Sequence, residues 1–446
     1  MTINFLDINI KVNKIKFFVL ISVLILGIIL KFHNYSIYPQ RGATSDEYSY
    51  SFQGVSLLKK GIPISWSAFT AYKNLRHLTI DRLYFPIVYP YFDHTPLNGI
   101  IVAAWAIAFG EDTFEKIQLK TIRIVPIILS TISSLLVFLI GLKLFNYKTA
   151  IWALLIYSTT TIFVIQGRVV LAENLITPLL LGSIYALINF YKKINFKKTL
   201  LLGTLAGATF WAKELGIVAF FSLLYLFFSE RIKIKYIFTF FMTFSFFIAL
   251  YIAYGLYYDA DVFWKILREQ SNRIIGPETL LYITSTPIIV NKLYFDGWYY
   301  LGFVTFFLSF LSYKENKFLI VPSGVYFLIL LSSLTKEGEM GWYIIPLFPF
   351  MSLFIAKFMV EQAQKIGFGI FLLLIFVGMY MIRYGYEANF GLTPIQFRMT
   401  LLILFLPVML TVIFKKERAY IFLSHFWFYA FIATNIFLTY NYIHPA

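Results

Sequence analysis

Long apolar blocks alternate along this chain with short loops rich in Lys and Arg, and many of the blocks approach the length that carries a helix across a bilayer. They predict about thirteen helices, at 17 to 32, 121 to 142, 149 to 166, 170 to 190, 199 to 212, 215 to 229, 236 to 257, 293 to 312, 318 to 334, 342 to 357, 367 to 383, 399 to 414 and 420 to 439. The first block, preceded by Lys11, Lys14 and Lys16, has the charge pattern of a signal peptide. Ile28-Ile29-Leu30-Lys31-Phe32 offers no small-x-small cleavage site, so an uncleaved first span is expected.

Leu97 to Phe109 is apolar but, at about thirteen residues, short for a span. Charge decides its place. If it lies in the interface, Lys143/Lys148, Lys192/Lys193/Lys197/Lys198, Arg231/Lys233/Lys235, Lys314/Lys317, Lys357/Lys365 and Lys415/Lys416/Arg418 all share the cytoplasmic side. If it crosses, every one of them flips outside. It is therefore read as a juxtamembrane helix within one long outer loop, about His33 to Lys120.

Composition agrees: 59% hydrophobic and 20% aromatic residues exclude an ordinary soluble domain. The net charge of +16 sits in loops between apolar blocks, which is topological patterning and excludes a nucleic-acid surface. Without cysteine there is neither a thiolate metal site nor a cysteine nucleophile. No P-loop, dinucleotide fingerprint or Gly-x-Ser-x-Gly elbow occurs, and the inner loops are too short for a nucleotide-binding domain, so a cytoplasmic nucleotide-sugar donor is not expected. The expectation is one all-α membrane domain over 1–446, with the first outer loop at 33–120, core helices and a second outer loop at 121–360, and C-terminal helices at 361–446.

On this topology the boundary charges collect on the outer face: Asp46, Glu47, Asp93, His94, Arg123, Arg168, Glu173, Lys213, Glu214, Lys336, Glu337 and Glu339. Charges of both signs beside an apolar body suit a reaction between an anionic lipid-borne donor and an aqueous acceptor. Asp46 is the candidate general base. Glu47 cannot point the same way if the pair opens a helix, so it either orients the acceptor or accepts a hydrogen bond from another loop. The structural alternative is that Ser45 or Asp46 merely caps that helix. Arg123, Arg168, Lys213 and Lys336, each near an outer helix end, are candidates for binding a lipid phosphate; the alternative is that they anchor their helices at the interface. Asp93 and His94 could contribute to a divalent-metal site, although His77 is the only other nearby His and no ligand triad is visible. No cofactor is otherwise implied.

The order of these motifs resembles the polyisoprenyl-phosphate-sugar-dependent glycosyltransferases of the type C membrane fold, which include protein O-mannosyltransferases and lipid A aminoarabinose transferases. Gly42-Ala43-Thr44-Ser45-Asp46-Glu47-Tyr48 is similar to that family's acidic motif, and Asp93-His94-Thr95-Pro96-Leu97 to its His-x-Pro-Leu box. Arg123, Gly167-Arg168 to Glu173-Asn174, and Thr335-Lys336 followed by Trp342-Tyr343-Ile344-Ile345-Pro346-Leu347-Phe348-Pro349 match its later landmarks. Thr95 replaces a common second proline, and Glu173 stands where aspartate is more frequent. The resemblance implies that His94 and the Tyr343 hydroxyl face the lipid phosphate, and that Asp93 and Glu173 support the acidic loop or the acceptor. It implies a glycosyltransferase in the cell membrane that moves a sugar from a polyisoprenyl-phosphate donor to a protein, lipid or glycan acceptor on the extracytoplasmic face. A polyprenyl-linked glycan polymerase or ligase, with Arg268 and Arg273 as its paired arginines, and a secondary transporter or lipid flippase are the alternatives.

Overall fold

The structure, a computed structural model, describes residues 2–5, 8–11, 14–40, 42–80, 82–272, 289–291, 294, 297–333, 341–387 and 392–444. Lys336, Glu337, Glu339 and Arg273 lie outside the described residues. Every predicted apolar block contains helix. Eight described helices are long and apolar enough to cross a membrane, whereas Leu97–Ala108, Glu214–Ser229 and Gly369–Arg383 are apolar but shorter. The chain is thus an all-α polytopic membrane protein.

Several blocks are broken where the backbone is diverted. The 149 to 166 block divides at Thr160, which is extended between Tyr147–Thr159 and Thr161–Gln166. The 342 to 357 block opens as a 3-10 turn, Gly341–Leu347, before Phe348–Gln362 begins, as prolines at 346 and 349 would dictate. The 236 to 257 block grows instead into Ile234–Ser271 and leaves helical geometry at Asp259. There the Asp259 carboxylate accepts the Val262 N–H at 3.0 Å, capping a second helix that starts the second outer segment.

The first outer loop has its own architecture. Asp46–Lys60 is a helix, and Ser65–Trp66, Leu83–Val88 and Asn74–Ile80 form a small antiparallel sheet in that spatial order, which the sequence did not announce. Tyr48, Phe52, Phe85, Ile87, Val102 and Ile122 form a core beneath them. Leu97–Ala108 crosses Asp46–Lys60 at Gly54 and Gly99, so tightly that a Cβ on Gly54 would lie 1.9 Å from the Gly99 carbonyl oxygen. That crossing sets the box at 93–97 beside Tyr50 and Gln53 of the acidic helix.

At one end the Tyr147 hydroxyl donates to the Lys16 carbonyl at 2.6 Å, Lys317 pairs with Glu230, and Lys357 meets Glu315 at 3.2 Å, gathering the basic loops. The opposite end holds the acidic motif.

Candidate active site

Asp46 and Glu47, adjacent in sequence, serve different surroundings because consecutive helical residues diverge by roughly 100°. Ser45 is the N-cap but makes no capping bond through its side chain. The Asp46 N–H goes back to Thr44 Oγ1 at 3.2 Å, and the Ser45 carbonyl is held by the Trp66 indole N–H at 3.0 Å. The Ser45 side chain therefore does not cap the helix.

Glu47 is only 1% exposed and forms a fork with Arg123, from Nε to Oε1 at 2.9 Å and from Nη2 to Oε2 at 2.7 Å. The Val170 N–H adds a third bond to Oε1 at 3.2 Å. Arg123 Nη1 donates to the Tyr35 and Pro39 carbonyls at 2.9 and 2.7 Å. Glu47 thus makes the bond to another loop, one of the two expectations for it. Arg123, expected at a lipid phosphate, donates two hydrogen bonds to Glu47 and two to the loop after the first helix. Arg168 is likewise turned inward, with Nη2 on the Leu30 carbonyl and Nη1 on the Tyr38 carbonyl at 3.5 Å. Both arginines sit where the phosphate reading put them, but their donors face the protein.

Lys213 behaves differently. It is extended at the end of Phe196–Ala212, with Nζ 2.7 Å from Glu173 Oε1 and 4.2 Å from the centroid of the Tyr343 ring. Burial works to lower its pKa, but the Glu173 carboxylate, with Tyr343 and Asp46 beyond it, raises it above the ordinary lysine value, so the ammonium is charged. Glu173 Oε2 is buried with no hydrogen-bond partner. Glu214, the next residue, accepts the Tyr251 hydroxyl at 2.9 Å, and burial pushes its carboxyl above the usual range.

His94 stacks on Tyr50 with ring centroids 4.7 Å apart, and its carbonyl accepts Gln53 Nε2 at 2.9 Å. Asp93 turns away to accept the Tyr72 hydroxyl at 2.8 Å, while its carbonyl accepts Gln270 Nε2 at 2.7 Å from the second outer segment. Among the described residues no three His, Asp or Glu side chains come together as a metal site. Asp93 and His94 are not arranged as joint ligands, and no step through a metal is derived.

Four tyrosines complete the region. Burial, then the charges of Glu173 and Asp46, push the Tyr50 hydroxyl well above its ordinary pKa; burial and Asp93 do the same to Tyr91. Tyr72 holds Asp93, and the Tyr326 hydroxyl donates to the Tyr343 carbonyl at 2.6 Å. Tyr50 lies one turn after Asp46. Tyr91, Tyr72 and Tyr326 were not singled out by any motif. Glu173, Lys213 and Tyr343, far apart in sequence, are thus in contact, and Asp46 and Tyr50 feel the same charges.

Residues 93–255 match the family described as dolichyl-phosphate-mannose-protein mannosyltransferase. No curated protein matches the chain significantly by sequence. Among solved structures, ArnT from Cupriavidus metallidurans bound to undecaprenyl phosphate is similar over 95% of this chain and 77% of its own, at 10% identity and a TM-score of 0.53. The archaeal oligosaccharyltransferase AglB from Archaeoglobus fulgidus, in complex with an inhibitory peptide and a dolichol-phosphate, is similar over 95% of this chain at 12% identity and a TM-score of 0.50. The chain spans 56% of the length of that AglB chain. With the acidic motif, the His94 box and the Tyr343 helix placed around one site, and with these matches, the chain carries the type C membrane glycosyltransferase fold that its motifs implied.

Proposed function

We propose that the protein transfers a sugar from a polyisoprenyl-phosphate donor to an acceptor on the extracytoplasmic face of the cell membrane. The observation that supports this reading is a buried Lys213 whose Nζ lies 2.7 Å from Glu173 and 4.2 Å from the Tyr343 ring centroid, with the half-buried Asp46 in electrostatic reach. Transfer from a lipid phosphate needs a base for the acceptor's proton and positive charge for the departing phosphate. Asp46 takes the proton from the acceptor as its oxygen or nitrogen bonds to the anomeric carbon. Lys213 and the Tyr343 hydroxyl balance the charge that builds on the phosphate as the sugar–oxygen bond breaks. Glu173 is a positioning residue that keeps Lys213 ionised and in place. The matched structures support the donor class, since ArnT is bound to undecaprenyl phosphate and AglB to a dolichol-phosphate.

The test is release of free polyprenyl phosphate from a polyprenyl-phosphate sugar by the purified protein with a surface acceptor present. Tyr343→Phe keeps the ring under Lys213 and removes only the hydroxyl. It should raise the donor KM roughly ten- to hundred-fold, the value of one hydrogen bond to a charged group. An unchanged donor KM removes Tyr343 from the phosphate site, and solute uptake without any sugar transfer favours a transporter.

Orientation is tested separately, because the chain has no cysteine of its own. Lys197→Cys, exposed in the first turn of Phe196–Ala212, should be labelled by an impermeant thiol reagent only after the membrane is opened. Labelling in intact cells would put Asp46 on the cytoplasmic face.

A further inference from the structure

At the basic end of the molecule, remote from Asp46, an open groove lies between Tyr147–Thr159, Phe348–Gln362 and Glu417–Tyr440. Its walls are apolar, from Trp152, Met359, Val360 and Phe428, and Lys148 and His425 stand on it. Lys148 Nζ lies 3.2 Å from His425 Nε2, while His425 Nδ1 lies 2.8 Å from the Ile421 carbonyl. The carbonyl can only accept, so Nδ1 carries the hydrogen and Nε2 receives the lysine's. Two basic groups thus rest against one another, and neither forms an ion pair with a carboxylate among the described residues. The nearby acids Glu315 and Glu361 are taken by Lys357 at 3.2 and 3.7 Å, and Glu417 lies exposed at the start of the helix that carries His425.

The geometry points to a binding site for the phosphate of an anionic phospholipid in the leaflet on the basic side. A bridging phosphate oxygen would accept from Lys148 Nζ and, once His425 is protonated, from Nε2 as well, replacing a weak nitrogen-to-nitrogen contact by charge-assisted bonds. Basic pockets between spanning helices on the cytoplasmic side are where anionic headgroups collect. The groove's apolar walls suit the first methylenes of an acyl chain.

The test uses the full chain in detergent and reads the rise of its melting transition on titration with phosphatidylglycerol, phosphatidylcholine or inorganic phosphate. Phosphatidylglycerol alone should stabilise the protein. Lys148→Gln and His425→Gln should each weaken its apparent affinity about ten-fold, the lower end for a charge-assisted bond. Neither side chain is buried, so both variants should melt like the parent without lipid. Lys197→Gln, an exposed charge in the first turn of Phe196–Ala212, should titrate like the parent. Equal stabilisation by phosphatidylcholine or inorganic phosphate overturns the proposal. So does an unchanged affinity in Lys148→Gln and His425→Gln, or an equal loss in Lys197→Gln, which would mean diffuse attraction to the basic face. None of these readings depends on sugar transfer.

Discussion

Asp46→Asn is expected to lower the rate of sugar transfer by roughly 10²- to 10⁴-fold, the range that a positioned base contributes, with little change in stability. The side chain is half-buried, and the bonds that hold its helix start pass through its own N–H, the Ser45 carbonyl and Glu47, all of which the substitution preserves. Asn occupies the same volume and cannot take a proton at neutral pH. Donor binding should survive, because Lys213 keeps Glu173 as its nearest counter-charge at 2.7 Å. The measurement is kcat and donor KM side by side: a fall in kcat with KM nearly constant is the signature of an interaction used in the transition state. If kcat holds and only the melting transition falls, Asp46 is structural and the general base lies elsewhere.

The fold was legible in the sequence to the extent that the bilayer imposes it. Apolar blocks must be helical where no water is available to satisfy the backbone, so block boundaries predicted helix positions well. The juxtamembrane reading of Leu97–Ala108 rested on loop charges alone, and the helix observed is 12 residues long and packs on the acidic helix through Gly54 and Gly99. The sheet at 65–88 was not legible. Its strand Asn74–Ile80 is exposed along most of its length, so no alternation of buried and exposed positions marks it.

The site was legible as a set of positions but not as a set of partners. A cation near an outer helix end reads the same in sequence whether it anchors a helix, binds phosphate or pairs with a buried acid. Only the fold separates Lys213, which reaches the site, from Arg123, whose partner Glu47 is 76 residues away. Tyr91 and Tyr72 escaped for another reason. In a chain with 32 tyrosines, enriched at interfaces as such residues are, one more near a helix end carries no signal.

Glu47 and Arg123 should prove the most sensitive positions for folding. Their carboxylate and guanidinium are 1% and 0% exposed, and the pair joins the acidic helix to the fourth-helix region at 119–124 while Arg123 also holds the Tyr35 and Pro39 carbonyls. Removing one member of a buried pair leaves an uncompensated charge, at a cost of about 3–5 kcal/mol. Arg123→Ala should therefore lower the melting transition and the yield of folded protein sharply. Glu47→Gln retains one hydrogen-bond acceptor for Arg123 but strands its charge, so it should destabilise less than Arg123→Ala and far more than Asp46→Asn. Adding Glu47→Leu to Arg123→Met, which removes both charges at similar volume, should recover part of the lost stability although the two carbonyls stay unserved. Thermal unfolding of the four variants against the parent decides the matter. If Arg123→Ala melts like the parent but fails to use donor, Arg123 is a phosphate ligand after all, and the fork with Glu47 is its resting state.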